Sequence, residues 1–291
     1  MDFKNAQELL DLCEKESCSV SSIMKKRECI LGETTEEEIY NKMEHSLKIM
    51  RESVSVPVKS PKKSIGGLIG GEAQLLERHR LSGKSIAGPV LSKAITYSMA
   101  VLETNTTMGL IVAAPTAGSS GVLPGLLLAL QEEYALKDRE IVDALFNASA
   151  IGYLAMRNAT VAGAVGGCQA EVGVASAMAA SAAVELMGGS PDQCLHAATS
   201  VLMNFLGLVC DPIGGLVECP CQGRNAAGVS VALTAAEISL SGIRQLIPFD
   251  EMLQTMYQVG RQIPPGLRET ALDGCAATPA GKKLGCGICR K

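Results

Sequence analysis

The sequence contains no tryptophan, and phenylalanine and tyrosine make up only 3% of its 291 residues. A large interior cannot then be filled by rings, so backbones must approach one another closely, as tightly packed helices do. A basic block is also missing. The 26 Lys and Arg against 30 Asp and Glu give a net charge of -4, which argues against a surface that tracks a phosphate backbone and so against nucleic acid as a partner. Long apolar runs are absent: the most apolar stretches, 121–130 and 172–186, are short or merely Ala-rich, below the roughly 20 strongly apolar residues that cross a bilayer. The opening MDFKNAQELLDLCEKES lacks the basic, apolar and small-residue order of a secretory signal. Together these absences predict a soluble cytoplasmic protein with no membrane partner. Imidazole is scarce as well, confined to His45, His79 and His196, and none of the three is assigned a catalytic role.

What is present is apolar and small. A hydrophobic content of 47% with 30 glycines supports one large core. Residues 1–55 carry apolar positions at helical spacing (Leu9, Leu12; Ile39, Met43, Leu47, Met50) among many charges, and read as an N-terminal helical segment. Residues 56–81, with prolines, glycines and lysines, read as a loop or linker. Residues 82–281 form the core, where runs at 87–102, 123–134, 141–155, 170–187 and 225–240 have helical character and are separated by glycine and small polar clusters. β-Branched alternation is rare outside 110–113. The fold class expected is mainly α: a single α-helical catalytic domain whose Gly-rich loops carry the site. Residues 282–291 read as a flexible Cys-containing tail.

Eleven cysteines are many for a chain in a reducing compartment, where cysteine in quantity points to metal or redox chemistry. Cys210, Cys219 and Cys221 sit in LGLVCDPIGGLVECPCQGRN, a Gly- and Pro-broken loop between two apolar helical runs, where thiolates can converge on iron–sulfur or zinc. Cys168 follows a glycine pair at the start of a helix, a setting that lowers a thiol pKa. From spacing alone, ordinary buried cysteines remain an equal alternative. Cys286 and Cys289 have C-x-x-C spacing, which fits two ligands, a redox pair or incidental tail cysteines. The segment AAPTAGSSGVLPG offers the hydroxyls of Thr116, Ser119 and Ser120 before a helix N-terminus, where a carboxylate or phosphate could bind, although a plain turn and cap would look the same. It has neither the phosphate-loop ending nor the dinucleotide glycine pattern.

In this order, SGKSIAGP, NTTMGLIVAAPTAGSSGVLPG, GGCQAEVG and LGLVCDPIGGLVECPCQGRN, with RETALDGCAATPAG near the end, resemble the α subunit of the two-chain bacterial iron–sulfur L-serine dehydratases over most of 82–281. The resemblance implies a 4Fe–4S cluster held by Cys168, Cys210 and Cys221, with Cys219 a competing position beside the last. It implies elimination of water from L-serine to give pyruvate and ammonia, with the iron that lacks a protein thiolate acting as Lewis acid. It also implies a β subunit, which would supply part of the site. Thr116, Ser119 and Ser120 are then the expected grips on the serine carboxylate, with Asn105 and Asn225 orienting the amino group or the cluster. The general base is unassigned. Single-chain relatives place a C-terminal cysteine on the fourth iron, but the surroundings of Cys286 and Cys289 do not match that ending, and Asn204-Phe205 stands where those relatives have His-Asn. Competing readings are a related hydro-lyase on threonine or a hydroxy acid, a non-catalytic iron–sulfur or zinc redox protein, and a pyridoxal enzyme using Lys84, which would leave the cysteines unexplained.

Overall fold

A computed structural model describes residues 2–288, with side chains through Gly285; the Cys286 side chain and all of Cys289 lie outside the described residues. Thirteen α-helices and no β-strand occur among the described residues, so the mainly α expectation holds. They are α1 (Ala6–Glu16), α2 (Val20–Leu31), α3 (Glu36–Lys59), α4 (Glu72–Leu81), α5 (Gly88–Thr106), α6 (Val122–Tyr134), α7 (Asp138–Asn158), α8 (Gly163–Gly166), α9 (Val174–Leu186), α10 (Pro191–Phe205), α11 (Cys221–Leu240), α12 (Phe249–Gln262) and α13 (Pro279–Ile288).

The centre of the molecule is α9, VASAMAASAAVEL, buried on nearly every side. It packs against α6, α7, α10 and α11. A helix with no polar face must be surrounded, and its alanines and serines let four neighbours come close. The same economy governs the crossing of α5 and α6. A Cβ on Gly121 would lie 2.2 Å from the Ser98 carbonyl oxygen, so no larger residue fits where the loop enters α6. The scarcity of rings is therefore met by close backbone approach, as the composition predicts.

Within 56–81 the irregular backbone is confined to 60–71, since α3 runs on to Lys59 and α4 occupies Glu72–Leu81. Two contacts from α5 account for this. Pro57 cannot donate to the Ser53 carbonyl one turn earlier, but the Thr104 hydroxyl donates to that oxygen at 2.7 Å, so α3 passes through the proline without an orphaned acceptor. The buried Glu103 carboxylate accepts from Gly71 N at 3.0 Å and Ala73 N at 2.8 Å. It caps α4 from outside, which the local sequence could not reveal. No helix among the described residues is long and apolar enough to cross a membrane.

Candidate metal centre

Three chain segments converge at one end of α9 and α11. In the first, α8 ends at Gly167 in the left-handed region (φ 75), and Cys168 then leads into a π-helical turn over Gln169–Gly173, a widened geometry that recurs at functional sites. The buried Gln169 pins this turn: its side-chain amide donates to Met256 O at 2.8 Å and its oxygen accepts from Gly207 N at 2.8 Å. The second segment carries Cys210. It is fixed by a short parallel bridge to 268, with Cys210 N donating to Leu267 O at 2.8 Å and Glu269 N donating to Cys210 O at 2.7 Å. The third segment ends at Cys221, the first residue of α11. Its loop is anchored by buried Glu218, which accepts from Ser64 Oγ, Gly66 N and Leu68 N at 2.6, 2.7 and 3.0 Å.

The result brings together Cys168, Cys210 and a residue the sequence reading did not single out, Glu171. Their sulfur and carboxylate atoms lie within 4.8 Å of one another, an arrangement able to hold a metal ion. The hydrogen bond from Cys210 and the charge of Arg224 hold the Cys168 thiol below its ordinary pKa despite burial. Cys210 moves the other way, as donor to Cys168 and by burial. Burial also pushes up Cys221, and the charges of Cys168 and Glu171 add to the shift; Cys221 is not part of the group whose ligand atoms lie within 4.8 Å of one another. The neighbours of Cys219 are instead Arg224, Asp211 and Glu218.

Burial raises the Glu171 pKa, partly offset by Thr116, whose hydroxyl donates to Glu171 Oε1 at 2.9 Å. Space for the carboxylate depends on Gly163, where a Cβ would stand 2.6 Å from Glu171 Oε2 and 3.2 Å from Cys210 Sγ. Arg224 donates to Cys168 Sγ at 3.7 Å and pairs with Asp211 at 2.7 Å. Asp211 in turn accepts from Cys275 N at 2.6 Å. Burial alone would raise the Asp211 pKa, yet the Cys275 amide and Arg224 carry it below the ordinary value. Glu171 and Arg224 each lie three positions after a cysteine, Cys168 and Cys221, and that i, i+3 spacing on a helix is the signal that could have found them.

The Thr116 loop borders this centre, and of its hydroxyls only that of Thr116 meets Glu171 directly. Ser119 and Ser120 are fully buried; Ser119 Oγ pairs with Thr116 Oγ1 at 3.1 Å and lies 3.4 Å from the Ala114 carbonyl, and Ser120 donates to the Ala117 carbonyl at 2.7 Å. Asn225 is a buried clamp, accepting from Gly121 N at 3.0 Å and donating to the Gly118 and Cys221 carbonyls at 2.8 and 2.9 Å. It ties the loop to the start of α11. Asn105, half-buried, reaches the Ala117 carbonyl at 3.3 Å.

The profile of the family described as "Serine dehydratase alpha chain" matches residues 15–276. Over 282 residues the sequence is 44% identical to a probable L-serine dehydratase, alpha chain, of Bacillus subtilis, covering 97% of this chain and 94% of that one. It is 42% identical to the L-serine dehydratase, alpha chain, of Peptoniphilus asaccharolyticus, covering 97% of both. An L-serine dehydratase of Helicobacter pylori is 34% identical over 95% of this chain but only 62% of its own length.

Proposed function

The chain belongs to the serine dehydratase alpha chain family, and from that premise we propose that it eliminates water from L-serine to yield pyruvate and ammonia, using a 4Fe–4S cluster held by Cys168, Cys210 and Cys221. The observation that carries this reading is the meeting of Cys168, Cys210 and Glu171 within 4.8 Å, with Arg224 against the Cys168 sulfur.

The donor set fits such a group. Soft sulfur donors come from three separate segments and are buried. The pKa of one, Cys168, is held below its ordinary value, toward the thiolate form that binds metal, and no disulfide joins any of the nine described cysteines. Free thiols also suit a reducing cytoplasm, where we place the protein. Cys168, Cys210 and Cys221 would hold the cluster, which when bound would supply a Lewis acid for the substrate hydroxyl.

The chain's own residues supply the rest. Glu171, aimed by Thr116, takes the serine α-proton on its carboxylate. Thr116 and Asn105 bind and orient the substrate carboxylate and amino group at the edge of the 114–121 loop. Ser119, Ser120 and Asn225 keep that loop in shape rather than touching serine. The β-hydroxyl departs as water with the proton that Glu171 took up, leaving an enamine, which rearranges to the imine and hydrolyses to pyruvate and ammonia. Arg224 and Asp211 fix the direction of Cys168. A β chain completes the assembly.

The test is anaerobic purification, an iron and sulfide assay, and pyruvate formation from L-serine with and without the β chain, with L-threonine and malate as controls. About four irons per chain with serine-dependent pyruvate supports the reading. Zinc, or a cluster with no dehydratase activity even beside the β chain, refutes it.

A further inference from the structure

The loop before Cys221 turns its side chains alternately to two neighbours. Leu216 and Glu218 go to the 64–68 segment: a Cβ on Gly66 would lie 2.5 Å from Leu216 Cδ1 and 2.7 Å from Glu218 Oε1, and the buried Glu218 carboxylate is held there by Ser64, Gly66 and Leu68. Between them, Glu218 N donates to Leu216 O at 2.7 Å, closing a three-residue turn with Val217 at its apex. Val217 goes the other way. A Cβ on Gly118, in the Thr116 loop, would stand 3.3 Å from Val217 Cγ1 and 3.6 and 3.9 Å from Glu171 Oε1 and Oε2. Val217, Gly118, Thr116 and Glu171 are all half-buried rather than sealed.

Gly118 therefore keeps a gap between an isopropyl group and a carboxylate, and those distances give its width. One carbon placed there touches Glu171 at ordinary van der Waals separation and Val217 slightly inside it. The gap admits a single carbon, and a second would have to displace Val217. Val217 does not yield easily, because the turn that carries it is tied through three hydrogen bonds to the Glu218 carboxylate. Glu171 Oε1, the nearer oxygen, is also the one that accepts from Thr116. The gap thus lies on the side of the carboxylate that the Thr116 loop serves.

We propose that Val217 and Gly118 set the size of the group allowed on the β-carbon of the substrate, so that L-serine is accepted and β-methylated amino acids such as L-threonine are refused. The inference rests on the reading of Glu171 as acceptor of the serine α-proton. With the α-carbon against Glu171, the β-carbon of serine is the one carbon that the gap admits. Threonine brings a second, its methyl, which meets the isopropyl group of Val217. One carbon more or less in an apolar pocket changes kcat/KM by about 10–200-fold, and that is the scale on which trimming Val217 acts.

The test measures 2-oxo acid formation from L-serine and from L-threonine by the full chain, produced anaerobically with its β chain, as wild type, Val217→Ala and Gly118→Ala. In Val217→Ala the ratio of kcat/KM for L-threonine to that for L-serine is expected to rise at least tenfold. In Gly118→Ala, whose methyl occupies the gap, KM for L-serine is expected to rise at least tenfold with iron content unchanged. If Val217 only shapes the cysteine loop, Val217→Ala slows both substrates alike and releases iron; an unchanged ratio overturns the proposal. Should Val217→Ala fail to fold, Gly118→Ala decides alone, and a wild-type KM there overturns the proposal. Wild-type enzyme that makes no pyruvate from L-serine overturns the dehydratase reading and this inference with it, whereas L-serine turnover with an unchanged ratio removes the inference alone.

Discussion

The Arg224 guanidinium donates to the sulfur of Cys168 at 3.7 Å across 56 positions of sequence, and its other edge holds the buried Asp211 at 2.7 Å. One side chain thus orients a proposed ligand and neutralises a buried carboxylate. Arg224→Met, which keeps length and loses charge, is expected to lose stability by about 3–5 kcal/mol, because Asp211 is left as an unpaired buried charge. It is also expected to lose most of its iron during anaerobic gel filtration. Adding Asp211→Asn is expected to recover much of the stability but none of the iron. Denaturant melts and iron-to-protein ratios check both halves, and full iron retention in Arg224→Met would show that the guanidinium does not position Cys168.

Glu171 and Thr116 form the polar wall of the same centre. Glu171→Gln preserves shape and removes the proton acceptor, so kcat for L-serine is expected to fall about 10²–10⁴-fold with iron content unchanged. Thr116→Val removes only the hydrogen bond at 2.9 Å that aims the carboxylate. A loss of about tenfold in kcat is expected, the equivalent of a net 1–1.5 kcal/mol hydrogen bond. Steady-state pyruvate assays on both variants decide it; wild-type kcat in Glu171→Gln would assign the proton to another group.

Much of this architecture is legible in sequence because the core helices are written in composition. The runs that become α5, α6, α7, α9 and α11 are long and largely apolar, set off by glycine or small polar residues at most of their borders, and no tertiary contact is needed to see them. The segment before α5 is different. Its helices depend on Thr104 satisfying the carbonyl that Pro57 leaves open and on Glu103 capping α4, both supplied from a distance of tens of residues. The site divides in the same way. The cysteines could be picked out by their motifs, but Glu171 acquires its character from burial beside Thr116, and Ser119 and Ser120 lose theirs by turning inward to loop carbonyls. Hydroxyl content in a Gly-rich loop does not say which way the hydroxyls point.

In the N-terminal segment, Asp2 accepts from Arg27 Nε at 2.7 Å, and the Arg27 guanidinium lies 3.9 Å from the centre of the Tyr153 ring, pinning that segment to α2 and α7. The hydrogen bond from Arg27, reinforced by its charge against a smaller effect of burial, holds the Asp2 pKa below its ordinary value. A carboxyl whose folded-state pKa is depressed contributes stability above its unfolded pKa of about 3.9 and loses that contribution as pH falls through the folded value. Asp2→Asn is therefore expected to melt below wild type at pH 7, with the gap narrowing once pH falls below the unfolded pKa of about 3.9 and closing as wild-type Asp2 protonates. Melting curves of metal-free protein across that range check it, and a gap that stays constant with pH would mean that the charge of Asp2 is not what matters.

Gly163 and Gly223 make opposite predictions for the same substitution. At Gly163 an added methyl would stand 2.6 Å from Glu171 Oε2 and 3.2 Å from Cys210 Sγ. The carboxylate is the movable end of a side chain, so it swings away and gives up its hydrogen bond from Thr116, while the backbone of α8 has little reason to shift. Gly163→Ala is expected to lower kcat at least tenfold, with at most about 1–2 kcal/mol lost in stability, the lower end of the cost of overpacking. At Gly223, inside α11, a Cβ meets nothing within 4 Å. Alanine there is expected to stabilise the protein by about 0.5–1 kcal/mol through helix propensity with kcat unchanged. Paired melts and pyruvate assays separate the two effects: if Gly163→Ala loses stability but keeps full activity, the methyl has displaced backbone rather than Glu171, and the carboxylate does not need the place that the glycine leaves open for it.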